Sequence, residues 1–175
     1  MSNLVQPVPY YSQRDNISEP QRSCNKSACC MAAEYIKPGI FGGNDNTYSV
    51  LLESYGDTTN HDAHTRLLTA RGISTEFRYD LSYEDLDESL FSRKMPVVIG
   101  VLHRGQVLTP WGGHMIVVIG KRGADDYICH DPWGFAFSYE YNDGKNCVIP
   151  KQSLDTRWLP DGYDSGWGRL FYPSK

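Results

Sequence analysis

Three of the five cysteines fall close together in RSCNKSACCMAAEYIKPG, residues 22–39. A thiol can ligate a metal, form a disulfide, fill a core or act as a nucleophile. Five is an odd number and Cys29 and Cys30 are adjacent, which does not suit a disulfide-stapled domain. There is no C-x2-C pair, and C-x4-CC matches no common zinc spacing, so no metal is expected. Nucleophilic chemistry needs a thiolate. The unpaired N–H groups and dipole at a helix N-terminus favour that form. Cys24 stands just before a predicted helix, where the effect is largest. Cys29 and Cys30 lie more than a turn further in, where a free cysteine serves as a small buried residue.

A thiolate nucleophile needs a base, and the base needs an orienter. Among the five histidines, His114 opens a strongly apolar strand after the glycine pair of TPWGG. A polar ring there is expected at a cleft, although a structural histidine at a strand terminus is the bland alternative. His130, in ICHDPWG, is the next contender, and His103 begins a polar loop where exposure is expected. His61 and His64 could share a helix face with a metal, but an exposed polar helix start explains them as well. Asp131 ends the strand after that of His114, and Pro132 breaks it at once. Neighbouring antiparallel strands bring a start and an end to the same sheet edge, so Asp131 can reach His114. Its bland alternative is an Asp-Pro turn.

The elements that must position these residues follow from periodicity. Residues 25–36 place Ala28, Met31, Ala32, Tyr35 and Ile36 on one helix face, and Pro38-Gly39 stop the helix. Further helices are expected over 47–55, 61–71 and 82–93, the last with Ser82 as N-cap, and a short strand over 73–79. The second half reads as strands: 96–102, 114–121, 126–131, 135–141 and 145–150, with a turn at Asn142-Asp143-Gly144, and a last strand at RLFYP. Helices followed by strands give an α+β fold with helices beside an antiparallel sheet, and no linker divides residues 1–175, so one domain is expected.

Bulk properties limit the classes of function. The chain has 175 residues, 40% hydrophobic and 22% charged, an ordinary globular balance. A net charge of −4 without a basic cluster argues against nucleic acid. No apolar run approaches the ~20 residues of a membrane span. MSNLVQPVPYYSQRDN has neither a basic segment nor an apolar core, so cytoplasmic synthesis without a signal peptide is expected. Asp45, Asp57 and Asp62 lie in polar loops, but EF-hand spacing is absent and no ion is expected.

The order Cys24, His114, Asp131 resembles the papain-like cysteine peptidases, specifically relatives of the bacteriocin-processing, double-glycine leader peptidases. VPYYSQRDN resembles their N-terminal segment and CNKSACCM their nucleophile motif C-G-P-x-S-x-x-M. MPVVIGV resembles their central strand, GGHMIVVIG their histidine strand and HDPWG their aspartate turn. The resemblance implies a papain-like fold with Cys24 as nucleophile, His114 as base and then acid, and Asp131 as orienter. It also implies Gln13 as oxyanion donor, with Gln21 as a rival nearer Cys24. Asn25 departs from the pattern, which has Gly after the nucleophile. The resemblance extends to free-standing members that look like bacterial or bacteriophage cell-wall peptidases, so peptidoglycan peptides are the expected substrate, met after release or from a phage particle. Trp111, Trp133 and Gly113 are candidate substrate-binding residues, with core packing as the alternative for the tryptophans. A monomer without cofactors is expected. Two other readings keep these residues: an acyltransferase of transglutaminase type, and a silent binding module. The aromatic 155–173 segment reads as either a groove wall or a wrapping tail.

Overall fold

A computed structural model describes residues 3–134 and 143–174. The expected strand 135–141 and Asn142 of the expected turn lie outside the described residues. In chain order the elements are β1 (Leu4–Val5), α1 (Cys24–Ile36), α2 (Asp45–Leu52), α3 (His61–Ala70), β2 (Ser74–Leu81), α4 (Tyr83–Asp87), β3 (Val97–Val101), β4 (His114–Arg122), β5 (Asp126–His130), β6 (Cys147–Pro150), α5 (Lys151–Arg157) and β7 (Gly166–Tyr172). Single 3-10 turns at Gln13–Asp15 and Pro20–Arg22 lead into α1. The fold class is α+β, as expected.

The sheet runs β2-β7-β3-β4-β5-β6, with antiparallel neighbours, and β1 pairs with the far end of β4. Strand β4 is buried on both faces. Met115, Val117 and Ile119 face the helical layer of α1, α2 and α3, while Ile116 and Val118 face a second layer holding Leu86, Leu154 and Trp158. Burial on both faces explains why this strand reads as a continuous apolar run rather than an alternating one. Helix α1 is buried from Asn25 through Glu34, not along one stripe, because it lies between the sheet and α2. Its Ala, Ser and Cys residues are small enough to be surrounded in this way. Lys37 closes it through an N–H bond to the Ala33 carbonyl, and Gly39 then takes a φ of 86°.

The next turn is organised by one buried carboxylate. Glu34 accepts backbone N–H bonds from Gly39, Phe41 and Gly43 at 2.7, 2.9 and 3.0 Å. Removing the acceptor that three backbone donors share leaves the buried Phe41 N–H unsatisfied and frees the turn at Gly39 and Gly43. We expect Glu34→Ala to lower stability by about 3 kcal/mol and the melting temperature by roughly 6–12 °C. Thermal unfolding checks this, and an unchanged melting temperature would mean that Glu34 does not hold the turn.

Several boundaries differ from the sequence expectation. Helix α2 starts at Asp45, because the Asn44 side chain accepts from the Asn46 N–H as its cap. The expected 82–93 helix is α-helical only to Asp87 and continues as one π turn over Glu88–Ser92. Helix α5 and strand β1 were not foreseen. In the 155–173 segment Trp158 is anchored in the core, and the last strand lies between β2 and β3. His64, expected on an exposed helix start, is fully buried. Its Nδ1 lies 2.7 Å from the Tyr48 hydroxyl and its Nε2 2.8 Å from the Thr58 carbonyl, and burial drives its pKa down to about 3.

Candidate active site

Cys24 is the first residue of α1. Several polar side chains fix this helix start. The Asn16 amide lies 2.8 Å from Ser23 Oγ and 3.0 Å from Ser27 Oγ, and Ser27 Oγ donates to the Asp45 carboxylate at 2.7 Å. The segment before the helix is thereby tied to its first turn and to α2. The Cys24 thiol is hydrogen-bonded by His114 and by the backbone N–H groups of Met115 and Asn25. Burial alone would raise its pKa. The His114 hydrogen bond and charge, helped by the two N–H groups, reverse this and leave it below the usual thiol value.

His114 is the first residue of β4, and the β4–β5 ladder brings Asp131 beside it. Val117 pairs with His130, so Asp131, the residue just past the end of β5, comes level with Ile116, two positions from His114. The contact follows: His114 Nε2 donates to Asp131 Oδ1 at 2.7 Å, with both side chains buried. Since Nε2 is engaged by the carboxylate, Nδ1 is the ring nitrogen left to face the thiol. Burial would lower the His114 pKa, but the Asp131 charge and hydrogen bond, then Cys24, carry it up to about 10.

Asp131 is held from every side. Its Oδ1 also accepts the Trp133 N–H at 3.0 Å, its carbonyl accepts the Tyr10 hydroxyl at 2.7 Å, and its N–H donates to the Gly144 carbonyl at 2.8 Å. Gly144 has a φ of 76°, and a Cβ there would lie 2.1 Å from the Asp131 carbonyl oxygen. The N-terminal segment latches the same turn. The Gln13 N–H donates to the Pro132 carbonyl at 2.8 Å, and His130 Nε2 donates to the Val8 carbonyl at 2.8 Å. His130 also accepts the Asn146 N–H on Nδ1, so both its nitrogens are committed to the backbone.

The other expected site residues divide clearly. Gln13 is buried beside the aspartate turn, with Nε2 donating to the Pro20 carbonyl at 2.9 Å and Oε1 buried without a partner among the described residues. Gln21 is exposed. Cys29 and Cys30 are fully buried, and burial raises the pKa of both. Asn25 directs its side chain to other partners than Cys24: its Oδ1 accepts from Cys29 Sγ at 3.3 Å, and its Nδ2 lies 3.4 Å from the Thr58 carbonyl. Trp133 is half-buried, Gly113 is exposed with open space where a Cβ would stand, and Trp111 is 58% exposed. His103 corrects the expectation of an exposed loop histidine. It is half-buried, its ring centroid 5.1 Å from that of His114. Burial, the His114 charge and Arg104 push it down to about 4.

Tyr10, Gly144 and the Met115 N–H belong to the site and were missed. Tyr10 lay inside the PYYSQ stretch, whose register could have singled it out. A backbone N–H carries no residue signal.

Among the described residues, no helix is long and apolar enough to cross a membrane. The sequence matches the model of the Peptidase_C39 like family over residues 5–165. No curated protein matches it. Among solved structures, a putative C39-like peptidase from Bacillus anthracis is similar, at 14% identity and TM-score 0.67 over 100% of both chains. A double glycine motif protease from an AMS/PCAT transporter, solved with its leader peptide, has 17% identity and TM-score 0.61 over 99% of this chain and 100% of its own. The peptidase domain of Streptococcus ComA, a bi-functional ABC transporter of a quorum-sensing pathway, has 15% identity and TM-score 0.57 over the same shares. At these identities the likeness shows the papain-like fold. The family match spans most of the sequence: the chain belongs to the Peptidase_C39 like family and is a cysteine peptidase.

Proposed function

We propose that this cysteine peptidase works through Cys24, His114 and Asp131, and that its substrate is an amide bond in peptidoglycan peptides, cleaved by a monomer acting on the cell wall. The observation that carries the mechanism is a thiol at a helix N-terminus, hydrogen-bonded to a histidine that is itself 2.7 Å from a buried aspartate. The Cys24 thiolate attacks the carbonyl carbon, and its proton already resides on His114. The tetrahedral oxyanion meets the Cys24 backbone N–H at the first position of α1. Gln13 Nε2 has one hydrogen on Pro20 and a second to offer. Each such donor is worth about 10²–10³ in rate. His114 then protonates the departing amine, the C–N bond breaks and a thioester remains. Water, deprotonated by His114, adds to the thioester and releases the acid and the thiolate. Asp131 keeps its charge throughout and holds the imidazole. Trp133, next to the aspartate turn, and Trp111 and Gly113, just before His114, are the residues assigned to contact substrate. The wall substrate is supported by the resemblance of the sequence motifs to those of bacterial and bacteriophage cell-wall peptidases rather than by any contact in the site.

Iodoacetamide labelling near pH 6, mapped cysteine by cysteine, tests the mechanism. An ordinary thiol is almost all protonated there and reacts slowly. Fast labelling confined to Cys24, and lost in His114→Ala, is expected. Labelling of Cys29 or Cys30, or none, would overturn the assignment. Release of new amino groups from purified peptidoglycan, absent with Cys24→Ala, is the expected result for the substrate.

A further inference from the structure

The β3–β4 loop, residues 102–113, carries groups that the mechanism above does not use. It is held at its root. Arg104 and Trp111 exchange backbone hydrogen bonds, both 2.9 Å, and Arg157 from α5 donates to the carbonyls of Leu102 and Gly105 at 2.8 and 3.1 Å. Above this root the Arg104 guanidinium lies over the Trp111 ring, 5.2 Å from its centroid. Arg104 Nε donates to His103 Nε2 at 3.2 Å, and the His103 ring is in turn next to that of His114. The loop thus presents an exposed cation on an exposed indole, one ring removed from the catalytic imidazole. Leu108, 85% exposed, adds apolar surface at its tip.

We propose that Arg104, seated on Trp111, is the subsite for the departing half of the substrate and selects a carboxylate in it. This rests on the peptidase reading above. His114 must hand its proton to the leaving nitrogen, so the leaving segment passes on the imidazole side of Cys24, where this loop stands. A guanidinium presents a planar pair of donors that matches a carboxylate. Among the described residues, Arg104 makes no ion pair, and its terminal nitrogens have no hydrogen-bond partner. No acidic residue occurs in the sequence between Glu88 and Asp125 to supply one locally. The Trp111 face below stiffens the guanidinium without neutralising it. The carboxylate is either an acidic side chain at the new N-terminus or the free terminal carboxylate of a short released piece. Peptidoglycan stem peptides offer both.

The test uses the Cys24→Ala chain, so that its outcome does not depend on turnover, and follows the Trp111 indole N–H resonance, assigned with Trp111→Phe. Three product-like dipeptides are titrated: Glu-Ala-amide with a side-chain carboxylate, Gln-Ala with a terminal one, and Gln-Ala-amide with neither. At least one carboxylate peptide is expected to bind about fivefold more tightly than the uncharged one, and which one it is identifies the source. Arg104→Met should erase the difference and Arg104→Lys should restore part of it. Equal binding of all three, absence of binding, or a preference that survives Arg104→Met would overturn the proposal. Failure of the peptidase reading would appear separately, as the absence of rapid Cys24 alkylation.

Discussion

Asp131→Ala is expected to lower hydrolysis by about 10³–10⁴-fold, the scale on which catalytic triads lose turnover without their orienting carboxylate. It should also change the pH dependence. In the intact site two opposite shifts overlap. Burial works against the His114 charge, yet Asp131 and Cys24 lift its pKa from 6.5 to about 10, while His114 holds Cys24 below its ordinary value. The thiolate–imidazolium pair therefore exists between the lowered Cys24 pKa and about pH 10. The two contributions to stability run in opposite directions with pH. The His114 contribution is complete below pH 6.5 and disappears as pH rises through about 10. That of Cys24 is present above the ordinary thiol value and disappears as pH falls through the lowered one. Without Asp131, burial prevails at His114, its positive charge is lost near neutrality, and the Cys24 pKa rises. The rate of Cys24 alkylation against pH should show its acid limb move upward toward that of a free thiol. An unchanged profile in Asp131→Ala would mean that the carboxylate does not govern the imidazole.

Gly144→Ala is expected to lower hydrolysis by at least about 10²-fold while the protein stays folded. The residue has a φ of 76°, and an added Cβ would stand 2.1 Å from the Asp131 carbonyl oxygen and 2.5 Å from the Tyr10 hydroxyl. Neither neighbour is free to move: the carbonyl is backbone, and the hydroxyl is already bonded to it at 2.7 Å. The clash must push the aspartate turn away from His114, and a displacement of about 1 Å at a catalytic group can cost 10²-fold. The left-handed backbone adds about 1–2 kcal/mol of strain, or roughly 2–8 °C in melting temperature. Gly123 offers a control. It has a φ of 66° with nothing within 4 Å of an added Cβ. Gly123→Ala should show the stability loss alone. Equal activity in the two variants would show that Gly144 serves only the turn.

The site could be read from the sequence where chemistry and punctuation coincided. Gly112-Gly113-His114 and Asp131-Pro132 marked a strand start and a strand end, and the β4–β5 ladder joins them. Cys24 preceded a periodic apolar run, and α1 begins at that residue. The rest was hidden for identifiable reasons. Strand β1 has two residues and α5 seven, too short for any period to emerge. His64 sits in a polar stretch, and only the Tyr48 and Thr58 partners make its burial tolerable. His103 was assigned to the surface because its neighbours are polar, whereas its position depends on the antiparallel pairing of Val101 with His114. Trp158 and Trp167 suggested a groove because aromatics serve both grooves and cores. Gly100 shows their use: its missing side chain is the space that the Trp167 indole occupies.

The position of β7 bears on the birth of the enzyme. This strand follows every other strand among the described residues but inserts between β2 and β3, pairing Phe171 with Thr75 and Arg169 with Val98. A growing polypeptide displays Cys24 early and must wait for residue 172 before the middle of its sheet can close. At 5–20 residues per second that interval is about 7–30 s. Throughout it the edge of β3 is unpaired on the side where β7 will lie, so the frame that sets His114 and Asp131 around the thiol is unfinished. Until β7 is in place β3 lacks one of its two neighbours, so the sheet that carries β4 and β5 closes only after residue 172 has been made.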